Sequence, residues 1–200
     1  MKKTLVKKFS AFRLAAALLA AAFAVCGVSC KCGGGRPAPE TAAGVDIPRY
    51  MGVWHEIARL PTPFQRGTFD ARAQYELAED GTVKITNTSR GASGKTSAAR
   101  ASAYIPDPAQ PAKLRVSFFW PFYGDYWILA LGPDYQWALV GTPDFRYLWL
   151  LSRSPQMPRA QAMQILSRAR DLGFDISPVI FNEDFGAPAQ GAQQQRPQNK

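Results

Sequence analysis

The chain has 200 residues, with 46% apolar and 12% aromatic content, 24 Lys+Arg against 15 Asp+Glu, three cysteines and one histidine. This is enough apolar material for one real core, and it excludes disorder throughout the chain. All three cysteines precede residue 33 and His55 stands alone. A disulfide framework in the body and most histidine-based metal sites are therefore excluded as well.

In chain order, Lys2, Lys3, Lys7, Lys8 and Arg13 precede the apolar run Leu14–Val25. A charged start followed by about a dozen apolar residues and then small ones is the pattern of a secretory signal, expected here over 1–29. The run falls short of the roughly 20 residues of a comfortable membrane span, which leaves a signal anchor as the lesser alternative. Cys26, Cys30 and Cys32 follow. Gly27-Val28-Ser29-Cys30 resembles a bacterial lipobox, so Cys30 is the expected acylation site; ordinary cleavage with free or paired cysteines is the alternative. Several acyl chains on one cysteine would give stable anchoring. Lys31 after the cysteine favours the outer membrane, lipid-anchored and facing the periplasm. Without the five leader cations, 19 basic residues remain against 15 acidic. A balance of +4 is an ordinary surface, and no nucleic-acid partner is expected.

Residues 30–46 read as the lipid anchor and a flexible Gly/Pro/Ala tether, 47–186 as the folded body, and 187–200 as a disordered Gln/Pro tail. Within the body the apolar period is two. Strands are predicted over 53–58, 69–77, 82–87, 96–104, 113–119, 126–131, 135–140 and 146–152. Asp80-Gly81 marks a hairpin and Pro121–Gly124 a turn. Pro158–Leu172 then places Ala162, Ile165, Leu166, Ala169 and Leu172 on one helical face, with Pro158 in its first turn and Gly173 as its cap. A short strand over 179–181 follows. Eight sequential antiparallel strands manage their edges best by closing. The expected class is all-β: an eight-stranded antiparallel up-and-down barrel with one C-terminal helix packed outside. Small residues at Ala71, Ala73 and Ala130 favour a hollow interior.

Gly52-Val53-Trp54 matches the lipocalin Gly-x-Trp motif. Residues 50–67 resemble the opening of bacterial lipocalins of the Blc outer-membrane lipoprotein type, and 114–155, with Pro-Phe-Tyr-Gly-Asp-Tyr-Trp inside it, resembles them over nearly its whole length. Asp134 and Tyr135 stand at the family's second motif, and Arg153 at the third, a cation stacked on the motif tryptophan. His55, where Tyr is commoner, and Pro61 and Pro63 depart from the pattern without touching the motifs. The resemblance implies a lipocalin barrel that binds fatty acids or lysophospholipids. It makes Gly52, Trp54, Asp134, Tyr135 and Arg153 structural, with Arg153 over Trp54 closing the bottom of the barrel.

Extending each strand from the family's inward positions gives a cavity lined by Ala71, Ala73, Tyr75, Val83, Ile85, Val116, Phe118, Tyr126, Ile128, Ala130, Trp137, Leu139 and Trp149. A slip of one residue inverts a strand's set. Trp120, Phe122 and Tyr123 form an aromatic turn that suits a packed hairpin, a homodimer contact or a membrane-facing patch. Arg66, Arg72, Arg90 and Arg100 are solvated charges or contacts for a phosphate head.

No Walker loop, nucleophile elbow or Cys/His metal spacing is present, so no cofactor, metal or catalytic residue is expected. The leading expectation is a lipid-anchored lipocalin that stores or transports fatty acids or lysophospholipids in the bacterial envelope for membrane maintenance. A filled barrel acting through dimerisation is the alternative. An enzyme on the same scaffold would depend on Glu56.

Overall fold

The structure, a computed structural model, describes residues 36–91 and 93–182. The expected signal segment, Cys30 and the tail over 187–200 lie outside the described residues. After a short helix α1 (Ile47–Tyr50) come β1 (Gly52–Arg59), β2 (Thr68–Leu77), β3 (Val83–Gly91) and β4 (Thr96–Tyr104). Then follow β5 (Lys113–Phe119), β6 (Phe122–Leu131), β7 (Trp137–Gly141) and β8 (Leu148–Ser152). Helix α2 (Arg159–Leu172) and a two-residue strand β9 (Ile180–Phe181) end the described fold.

Each strand pairs antiparallel with the next, and β1 pairs with both β8 and β2. That second pairing closes the eight strands into an up-and-down barrel and leaves no free edge. β9 adds to the upper half of β1, through Ala58 opposite Phe181 and Arg59 opposite Ile180. Among the described residues, no helix is long and apolar enough to cross a membrane.

The alternation of strand side chains separates two apolar clusters. The inner one, around Trp54, Tyr75, Val83, Ile85, Leu114, Val116, Ile128, Val140 and Leu151, fills the lower barrel. The outer one joins Ile57, Leu129, Leu139, Leu148 and Leu150 to Ala162, Ile165, Leu166 and Ala169 of α2. So the helix lies on the outside and covers one side of the sheet with its apolar stripe. Gly173 caps it in a left-handed conformation, at φ +108°, donating its N–H to the carbonyls of Ala169 and Arg170.

The aromatic turn is shorter than expected: β6 already starts at Phe122, and Tyr123 and Gly124 are strand residues. Tyr135 is not in a strand. Pro133–Tyr135 form a 3-10 turn with Asp134 and Tyr135 at positive φ, and β7 begins at Trp137. Residues 36–46, expected as a free tether, lie on the barrel. Ala42 donates its N–H to the Ile128 carbonyl at 2.9 Å, and Pro39 and Val45 are buried.

Candidate ligand cavity and its two polar ends

The barrel has a closed end and an open one. At the closed end Gly52 takes φ +97°, and a Cβ there would meet the Arg153 guanidinium at 3.2 Å. Arg153 lies over the Trp54 ring with its Cζ 3.8 Å from the centroid. Its Nη1 donates to Val53 O at 2.9 Å, and its Nη2 to Arg49 O at 2.9 Å and Tyr50 O at 3.2 Å. Trp54 Nε1 also donates to Tyr50 O, at 2.8 Å. This one cation ties α1 to β1 and seals the floor. Tyr135 accepts the Asp46 N–H on its hydroxyl at 2.8 Å and lies under Arg49. Asp134 meets Arg49 at 3.6 Å on the exposed rim.

Above the floor, pairing places Trp54 with Ala73, Tyr75 with Ile85, Asn87 with both Ala73 and Ala99, and Ile85 with Ala101 on one face. Val116 pairs with Ala103, Leu114 with Tyr126, Val140 with Trp149, and Leu151 with Glu56, all inward. Toward the open end the inward residues Asn87, Ala99, Phe118 and Trp149 are only half-buried, and so are Ala101 and Tyr126 farther down. β4 pairs with β5 only over Ser102, Ala103 and Tyr104, so its open half, with the small inward residues Ala99 and Ala101, leaves the interior within reach of solvent.

Nine of the expected lining residues pack on the inner side or beside it. Ala73, Tyr75, Val83, Ile85, Val116 and Ile128 belong to the inner cluster, with Phe118, Tyr126 and Trp149 packed against it. Ala71 is half-buried at an irregularity of β2. Ala130, Trp137 and Leu139 are corrected: all three pack into the helix-side cluster outside the barrel. A bulge between Ile128 and Ala130 inverts the phase of β6. β7, starting after the 3-10 turn, turns Ala138 and Val140 inward instead. Trp137 lies instead 5.2 Å from the Arg168 guanidinium of α2.

Composition did not reveal the polar group at the mouth. Glu56 (5% exposed) and Arg59 (3% exposed) point inward on β1. Arg59 Nη1 donates to Glu56 Oε1 at 2.5 Å, and its Nη2 donates to the carbonyls of Gln65 and Thr68. The Gln65 amide donates to Glu56 Oε2 at 2.8 Å and accepts from Trp149 Nε1 at 3.1 Å. These bonds fold the 60–67 loop over the mouth. Under the loop lies a cavity of about 280 Å³ lined by Arg59, Thr62, Gln65, Arg66 and Ile180 among others. The spacing Glu56-x-x-Arg59 was readable in sequence, but strand alternation alone would put those two residues on opposite faces. The bulge between Glu56 and Ala58 brings them together.

Deeper in, Tyr50, Tyr75 and Tyr126 join hydroxyls. Tyr50 and Tyr126 are 2.7 Å apart, and Tyr75 and Tyr126 3.0 Å. Burial pushes all three phenols up, Tyr75 to about 12, so each keeps its proton. His55 faces outward; desolvation, then Arg72, lowers its pKa, with Asp70 opposing. Arg72 donates to Thr88, Arg90 meets Asp70 at 3.1 Å, and Arg100 is exposed. At the tip of the β5–β6 hairpin, at the open end, Trp120 is 82% exposed, beside exposed Phe119 and Phe122.

A family model described as a lipocalin-like domain matches residues 45–184. The temperature-induced lipocalin-1 of Arabidopsis thaliana is 42% identical over 149 residues, covering 70% of this chain and 80% of that protein. The outer membrane lipoprotein Blc of Escherichia coli K12 is 38% identical over 143 residues, covering 71% and 81%. Among solved structures, insecticyanin from the tobacco hornworm Manduca sexta superposes with a TM-score of 0.56 at 21% identity, covering 75% of this chain and 85% of that one.

Proposed function

The chain belongs to the lipocalin family, and on that premise we propose that its barrel holds one fatty acid or lysophospholipid at a time and stores or transports it in the bacterial envelope. The observation that carries this reading is the half-buried, inward-facing set Ala99, Ala101, Phe118, Tyr126 and Trp149. It is an apolar, solvent-reachable lining above a sealed floor, with polar groups converging at the mouth. An acyl chain gains about 0.8 kcal/mol for each CH₂ it buries there. Its head group stays at the mouth, where Arg66 borders the loop cavity. Glu56, the carboxylate an enzymatic reading would require, is held by Arg59 and Gln65 and serves the loop.

Acylation at Cys30 is the anchoring half of the proposal, and it would hold the barrel at the outer membrane. Native mass spectrometry of the chain incubated with a bacterial lipid extract is the test. One fatty acid or lysophospholipid bound per chain, lost in Ala101→Trp while the fold persists, is the expected result. A chain that takes up no lipid of any class contradicts the reading and favours the filled-barrel alternative.

A further inference from the structure

The lower barrel holds a polar feature that simple storage of an acyl chain does not require. Tyr50 is fully buried and Tyr75 is 5% exposed, while Tyr126 is half-buried. The cluster thus faces the cavity through Tyr126. Tyr50 packs tilted against the floor tryptophan, with ring centroids 5.0 Å apart, so the hydroxyls sit at the deep end of the lining. A terminal methyl group would gain nothing from them.

The hydrogen-bond count is informative. Three phenols carry three O–H hydrogens. The two hydroxyl contacts, Tyr50–Tyr126 and Tyr75–Tyr126, use two of them. Whichever way the bonds run, one O–H is left without an acceptor among the described residues. A buried donor with no acceptor costs about 1–3 kcal/mol, so a group that enters with an oxygen is favoured over one that does not. The oxygen should be neutral. The cation of the floor, Arg153, lies against Trp54 with its guanidinium given to backbone carbonyls. A carboxylate pushed down to the hydroxyls would be desolvated without a countercharge.

We propose that the Tyr50–Tyr75–Tyr126 hydroxyl cluster is a second polar subsite, which selects acyl ligands carrying a neutral hydroxyl or carbonyl oxygen at their buried end. This rests on the barrel being a ligand cavity and specifies what that cavity prefers. The ligand is then held at both ends: its head at the mouth and its distal oxygen on the tyrosines.

The test compares palmitic acid with its ω-hydroxy derivative on the full chain, by displacement of a fluorescent fatty acid. Chain length and head group are equal, so only the deep terminus differs. The ω-hydroxy acid is expected to bind about fivefold to tenfold more tightly, the worth of one buried hydrogen bond. In Tyr50→Phe/Tyr75→Phe/Tyr126→Phe the order reverses, because the hydroxyl then enters an apolar floor. Removing all the partners together with isosteric rings avoids stranding a donor and is nearly neutral for the fold. Equal binding of the two acids, or tighter binding of palmitic acid, by the unmodified chain overturns the subsite and leaves the cavity reading intact. That comparison needs no variant. Failure of both acids to bind overturns the fatty-acid form of the cavity reading and the subsite with it.

Discussion

Arg153 makes three backbone hydrogen bonds and one cation–π contact, and its side chain joins residues about a hundred positions away in sequence. Arg153→Met keeps the length but removes all four interactions. We expect a loss of about 2–4 kcal/mol in urea unfolding, from charged hydrogen bonds and a partly desolvated cation–π pair. Arg153→Lys should recover only part of this, since an ammonium cannot fork between separate carbonyls while lying flat on indole. The phenols make a pH prediction of the opposite character. Their pKa values are raised in the fold, so they stabilise it fully below the ordinary phenol value. This contribution is lost as pH rises through the folded value, between about pH 10 and 12 for Tyr75. Denaturation curves for the triple phenylalanine variant should be flatter over that window than those of the parent chain. Equal slopes in the two proteins would show that the hydroxyls are not neutral donors in the fold.

The strands and α2 were legible because their period is regular: β4 over 96–104 and β5 over 113–119 match expectation to the residue. The helix stripe lands on the outer sheet face as its spacing requires. What could not be read was where the period breaks. Bulges lie in β1 between Glu56 and Ala58, in β2 between Phe69 and Arg72, and in β6 between Ile128 and Ala130. Each inserts a residue and inverts everything beyond it. Nothing in Ile128-Leu129-Ala130 signals a bulge: three apolar residues read equally well in either phase. An alternation carried straight through β6 therefore puts Ala130 in the cavity, where the bulge turns it outward. In β7, Trp137 and Leu139 are large and apolar, while the residues that do face inward, Ala138 and Val140, are the less conspicuous pair. The β1 bulge has an energetic consequence of its own, since it brings Glu56 and Arg59 to one buried face. Glu56→Leu alone leaves the Arg59 charge uncompensated, and it should cost about 3–5 kcal/mol. Glu56→Leu/Arg59→Met should recover much of that in thermal unfolding. It should still raise hydrogen exchange in 60–67, because the Gln65–Glu56 bond is gone in both variants and the double variant also loses the Arg59 bonds to the Gln65 and Thr68 carbonyls.

At the scale of the molecule, the segment expected to be a free spacer fixes how an anchored barrel would stand. Arg36 donates to the Gly173 carbonyl at the far end of α2 and lies over Phe145, in the β7–β8 loop at the open end. From there the chain runs to Asp46 and Tyr135 at the closed end, with Ala42 and Val45 packed against the inner cluster on the way. Cys30 is six positions before Arg36, so even a fully extended connection reaches only about 20 Å. A lipid on Cys30 would therefore hold the open end, not the sealed floor, toward the bilayer. Phe119, Trp120 and Phe122 are exposed at that same end. An exposed aromatic cluster beside an acyl attachment point fits a lipid surface better than water. The acyl ligand would then pass between bilayer and barrel with little exposure of its chain. Co-sedimentation with phosphatidylethanolamine–phosphatidylglycerol vesicles can isolate this contact, using chain purified without its acyl group. Trp120→Ala/Phe122→Ala should weaken association about tenfold or more, from the loss of two aromatic side chains at the interface. Ligand affinity measured in the absence of vesicles should not change in Trp120→Ala alone, because that side chain is 82% exposed at the tip of the hairpin. If the variant instead binds vesicles as the parent does, the open end does not face the bilayer, and exposed aromatics at that tip are left to pair with a second copy of the chain. Sedimentation velocity of the same two proteins would show it as a dimer that the substitutions dissolve.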